Sequence, residues 1–192
     1  HTSGVPIEWQ ASELMPGINL LTDLSASSIQ IIQDNVNEVK KSKDFVVVSI
    51  HWGGNWGYRI SDEQIEFAHK LIDDAGVDII HGHSSHHVKG IEVYKDKPII
   101  YGCGDFLNDY EGISGHEKFR CDLGLMYFIR MNISSKRLDY IQMIPTQIKN
   151  YRVNQALPKD SQWLEKTLNR ESKQFNVQVK LREDNKLDLK WR

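Results

Sequence analysis

Apolar positions in the first half of the chain change period twice. Ile29, Ile32, Val36 and Val39 recur every three or four residues, which predicts a helix over residues 28–42. Lys40, Lys41 and Lys43 fall at its end, where positive charge suits the helix dipole. Phe45-Val46-Val47-Val48-Ser49-Ile50 is then an unbroken run, rich in β-branched residues, the pattern of a strand buried on both faces. Ser61-Asp62-Glu63-Gln64 has the form of a capping box. Ile65, Ala68, Leu71, Ile72 and Ala75 make the stripe of the helix it opens, and Gly76 is its stop. Residues 77–80 read as the next strand. Strand, helix, strand predicts a right-handed crossover between parallel strands. Their carboxyl ends then share one edge of the sheet, where open α/β sheets collect ligands.

The second half changes to a period of two. Residues 91–94 and 98–101 flank Lys95-Asp96-Lys97 as a hairpin, and residues 123–131 and 138–144 form another. A helix is expected over residues 161–170 and a closing hairpin from 175–180 and 186–191. The sum is an α/β class, a layered α/β fold whose sheet continues into antiparallel strands. Residues 1–27 carry Gly4, Pro6, Pro16 and Gly17 and little periodicity. So long an irregular stretch points to a functional loop or to a packing partner outside the chain.

Composition changes this picture little. With 192 residues, 40% hydrophobic and 26% charged, the chain can bury a core as one domain. A net charge of -2 gives no electrostatic reason to expect nucleic acid as a partner. Cys103 and Cys121 are the only cysteines, and free thiols are the expectation for them. Cys103 has no basic neighbour in sequence to activate it.

Candidate chemistry concentrates at residues 81–87, His-Gly-His-Ser-Ser-His-His, which hold four of the eight histidines. His51 ends the preceding strand, so the crossover brings it near His83. Neutral imidazole is a common ligand for zinc and also suits iron. His51, His83 and His86 are therefore candidate metal ligands, with Asp105 or Asp109 as carboxylates from a later loop. The competing readings are an acid-base site and a polar loop that happens to be rich in histidine. His81 points into the sheet if strand alternation continues through it; His69 and His87 are read as surface or packing residues. Gly102 and Gly104 permit a close backbone approach to a ligand, and a plain Asx-capped turn explains them equally well. Trp52, Trp56 and Tyr58 wall a cleft or pack beneath their glycine-rich loop.

In order, the motifs His51-Trp52-Gly53, Gly82-His83-Ser84-Ser85-His86, Gly90-Ile91-Glu92-Val93-Tyr94, Lys97-Pro98-Ile99-Ile100-Tyr101 and Gly104-Asp105-Phe106 resemble those of a known family. They are similar to bacterial capsule-synthesis proteins of the CapA type, linked to poly-γ-glutamate capsules. The likeness runs from about residue 44 to 109 and more loosely to both ends. It implies a calcineurin-like metallophosphoesterase fold, a layered α/β sandwich with a two-metal site at its strand ends. It implies His51, His83 and His86 as ligands of divalent manganese, iron or zinc, with Asp105 and Asn108 orienting water or substrate. It also implies that residues 1–192 are the carboxy-terminal part of a larger domain whose amino-terminal half supplies further ligands. The substrate would be a small molecule or polymer, the partners capsule-assembly machinery, and the location the cell envelope. The chain departs from the family in having no Glu shortly after His51-Trp52-Gly53, Ser84-Ser85 where His-Pro is common, and Asp105 where Asn is frequent. Those departures suit the alternative of a non-catalytic accessory or scaffold protein with a degenerate metal site.

Overall fold

A computed structural model describes residues 5–108 and 110–191 of the chain. Among these residues it has three α-helices and two β-sheets. The first helix, α1, spans Ala26–Val39 and ends before the lysines. Lys40 is extended, and its ammonium donates to the Gly76 carbonyl at 2.6 Å. Lys40 is thus the residue that caps the helix, and Lys41 and Lys43 follow it at the carboxyl end. Strand β1, Val47–His51, follows. Helix α2, Asp62–Asp73, opens on the capping box, with both Ser61 and Gln64 bonds made. Gly76 takes the left-handed conformation that ends it (φ +67°).

Strand β2 is Ile79–His83, so His81 and His83 belong to the strand and not to a loop after it. β1 and β2 are parallel and in register, with His51 opposite His83, as the crossover requires. Strands β3, Ile91–Tyr94, and β4, Lys97–Ile100, form the expected hairpin. Its turn is shorter than expected: Lys95 and Asp96 alone make it, both with positive φ, as two-residue hairpin turns demand. The first sheet is mixed, in the order β1-β2-β4-β3.

The antiparallel strands do not continue that sheet; they build a second one. It contains β5, Leu123–Met131, β6, Leu138–Ile148, a short β7, Val153–Gln155, and, after helix α3, Pro158–Ser172, the strands β8, Gln178–Leu181, and β9, Leu187–Lys190. The path is β5-β6-β9-β8, with β7 on β6. Leu164, Leu168, Ile141, Met143 and Leu187 are essentially fully buried between α3 and this sheet. Ile80, Ile99, Phe67 and Leu71 form a separate cluster beneath the first sheet. Phe175 packs against both.

β1 does not match the strand buried on both faces. It is an edge strand, and its Val47 is 56% exposed. The apolar run reported burial potential, but no described element covers that face. At the opposite end of these strands the buried Asp78 carboxylate accepts from the Val46 amide at 3.0 Å and from Lys97, with Lys40 at 3.5 Å. Burial pushes its pKa up, but these donors outweigh that and hold it below the ordinary value. Charge is thus sealed at the amino ends of the strands, and the histidines occupy the carboxyl ends.

Candidate functional site: a histidine edge

Strand alternation places Ser49 and His51 of β1 beside His81 and His83 of β2 on one face. The His51 and His83 rings meet edge to face, with centroids 5.3 Å apart. His81 is on the same face, 5.8 Å from His83, with Nδ1 at 3.0 Å from the Ser49 hydroxyl. Desolvation lowers the pKa of His83, and the neighbouring His51 and His81 add to it. Desolvation lowers that of His81 as well. Both rings are therefore neutral at physiological pH, the form whose nitrogen lone pair can take a ligand.

Gly82, between the two histidines of β2, is required by close packing. A methyl group there would overlap the Trp52 indole nitrogen and come within 2.6 Å of the Ile100 carbonyl oxygen. Trp52 itself is buried and stacked on Tyr101. Trp56 and Tyr58 lie against His87 and Phe119. Trp56 also lies against His86, 5.2 Å between centroids, and stacks on His116, so the aromatic loop packs beside the site.

His86 is set apart by the turn after β2, in which Ser84 takes a positive φ of 120°. Its Nδ1 faces both carboxylate oxygens of Asp105, at 3.1 and 3.2 Å. Asn108 donates to the same carboxylate at 3.2 Å, and the Tyr110 hydroxyl donates to it at 2.8 Å. Desolvation and the Asp105 carboxylate push the Tyr110 pKa up to about 12, so it remains a donor. An Nδ1–H held by a carboxylate leaves Nε2 as the free lone pair, the usual arrangement for a metal-ligating or acid-base histidine. Tyr110 was missed in the sequence, since nothing in its spacing ties it to His86 across a turn. Asp109 lies outside the described residues.

His51, His83, His86, Asp105 and Asn108 thus fall into two groups: the cross-strand imidazoles, and His86 with its carboxylate. Among the described residues, no three His, Cys, Asp or Glu side chains gather closely enough to hold a metal ion. The donors fit a contribution to a metal site, with neutral imidazoles and an oriented Nε2, but not a complete one. His69 pairs with Glu92, and His87 is wholly buried. Cys103 and Cys121 are free, and burial raises the Cys103 thiol to about 11, which keeps it protonated.

The sequence pattern of the family described as bacterial capsule synthesis protein (PGA_cap) matches residues 1–110. The chain belongs to this family. Among its relatives, a probable polyglutamine synthesis accessory protein of Mycobacterium tuberculosis is 42% identical over 98% of this chain and 50% of its own length. The PGA biosynthesis protein CapA of Bacillus subtilis is 33% identical over 66% of this chain and 34% of its own. The capsule biosynthesis protein CapA of Bacillus anthracis is 40% identical over 36% of this chain and 17% of its own. The chain spans about half the length, or less, of the curated relatives it matches. Within this capsule-synthesis family the histidine edge lies inside the matched residues, and the second sheet beyond them.

Proposed function

We propose that this chain serves capsule-polymer synthesis by contributing the histidine-bearing part of a metal-dependent, phosphoesterase-type hydrolytic site. The observation that carries this is the in-register pair His51 and His83 at the carboxyl ends of two parallel strands, beside His86 on Asp105. His51, His83 and His86 would hold one or two divalent ions of manganese, iron or zinc, together with ligands from outside this chain. Such an ion supplies Lewis acidity toward a phosphoryl oxygen. The chain's own residues do the rest: Asp105, with Asn108 and Tyr110 donating to it, fixes the His86 ring and leaves the Nε2 lone pair as its donor toward the ion. The substrate is a small phosphoester or the capsule polymer, and capsule-assembly machinery at the cell envelope is the partner class.

On this reading residues 1–192 are one part, the carboxy-terminal one, of a larger domain. The open edge of β1 supports it, as do the exposed Ile7, Trp9, Leu14 and Met15 ahead of α1. These are surfaces for the remainder of the same fold. Replacing His83 by Ala in the longest natural form of the protein is expected to abolish hydrolysis of phosphodiester substrates with added manganese. Unchanged turnover would sink the proposal.

A second reading is favoured by the failure of three donors to gather among the described residues. The protein would then be a non-catalytic accessory of capsule assembly, the role named for its mycobacterial relative. In that case the His83→Ala protein still supports capsule formation in cells, and the wild type shows no turnover.

A further inference from the structure

Glu92 on β3 is a carboxylate with only 7% exposure, and it lies outside the histidine edge. A charge so deep is costly unless each oxygen has a donor. One oxygen accepts from the Tyr101 hydroxyl at 2.7 Å; the other faces His69 Nε2 of α2 at 2.8 Å. The His69 ring is stacked flat on Tyr94, 3.7 Å between centroids, and the Tyr94 hydroxyl donates to Asp73. Glu92 is thus anchored from the helix side.

On its other side the chain of contacts leads to the histidines. The Tyr101 ring is stacked between Trp52 and Phe175, with centroids at 5.8 and 5.2 Å. The Tyr101 carbonyl accepts from the Trp52 indole N–H at 3.0 Å. The Trp52 backbone amide in turn donates to the His83 carbonyl at 3.0 Å, directly after His51. With no room for a side chain at Gly82, Trp52 is held against the ends of both strands.

We propose that Glu92 is a positioning residue for the histidine edge, acting through Tyr101 and Trp52. The histidine edge matters to chemistry only on the function proposed above. The positioning itself is a property of this chain and is tested without metal or turnover.

The experiment is nuclear magnetic resonance on isotope-labelled chain carrying Tyr101→Phe, Glu92→Gln or, as a control in the other core, Leu168→Ala. Tyr101→Phe is expected to speed exchange of the Trp52 indole proton about tenfold relative to global unfolding, the scale of one hydrogen bond to a charged group. It should also shift the His51 and His83 side-chain resonances. Glu92→Gln can still accept from Tyr101 and should restore most of the wild-type behaviour. Leu168→Ala should lower stability and leave Trp52, His51 and His83 unmoved. Wild-type exchange and resonances in Tyr101→Phe, or equal shifts in Leu168→Ala, would overturn the proposal. If Tyr101→Phe does not fold, His69→Phe, which keeps the ring stack on Tyr94 but removes the donor to Glu92, carries the same expectation, and a wild-type spectrum there overturns it.

Discussion

The two sheets treat their apolar residues differently. In the second, β6 runs between β5 and β9, and α3 lays Leu164 and Leu168 over it with no measurable exposure. In the first, β1 lies at the edge with Val47 more than half exposed, and the adjacent positions on that face are Ser49, His51, His81 and His83. One region, the face of the second sheet under α3, is closed by its own residues. The other carries the candidate histidines and leaves a face and a strand edge open. Groups that must meet a ligand or another part of a protein cannot also be sealed by local packing.

The largest effect should come from cutting into the closed region. Leu164→Ala is expected to lower stability by about 2–5 kcal/mol, through lost transfer energy and the cavity left behind, read as a shift in the urea midpoint. Second comes the buried histidine beside the open region. His87 is fully buried, with Nδ1 on the Val88 carbonyl and, among the described residues, no hydrogen-bond partner for Nε2. Desolvation, opposed in part by the Val88 carbonyl, lowers its pKa from 6.5 to about 4. The unfolded chain then binds the extra proton, so stability present above pH 6.5 is lost as pH falls toward 4. The loss should be on the order of 3 kcal/mol, and His87→Phe should flatten that part of the stability profile.

Third is Gly82→Ala, which overpacks the join between Trp52 and the histidine strand. A cost of about 1–3 kcal/mol is expected, with altered near-ultraviolet circular dichroism from the Trp52–Tyr101 stack. The smallest effect should be Val47→Ala on the open edge, within about 0.5 kcal/mol. A cost near that of Leu164→Ala would show that β1 is covered after all, and the contrast between the sheets would fail.

Much of the fold was legible because its local rules agree. The capping box at Ser61 and the crossover were found in place, and the hairpin expected around Lys95-Asp96-Lys97 formed with a turn one residue shorter. What misled was burial: the apolar run at β1 records a tendency, while its covering depends on what packs there. The division into two sheets was also hidden, since alternation shows strands but not which sheet they join. At the site, His51 and His83 were placed together by parallel-strand logic alone. His81 on their face, Tyr110 on Asp105 and Glu92 behind Tyr101 were not, because each depends on where a side chain turns after a bend or a partner strand.

The most direct test of the histidine edge is metal content by plasma mass spectrometry on the longest natural form of the protein, prepared without chelator. The wild type is compared there with His83→Ala. The account predicts at least about one manganese, iron or zinc per wild-type chain and loss of most of it in the variant, with the fold unchanged. Equal metal content in the two proteins, or none in either after reconstitution, would contradict it.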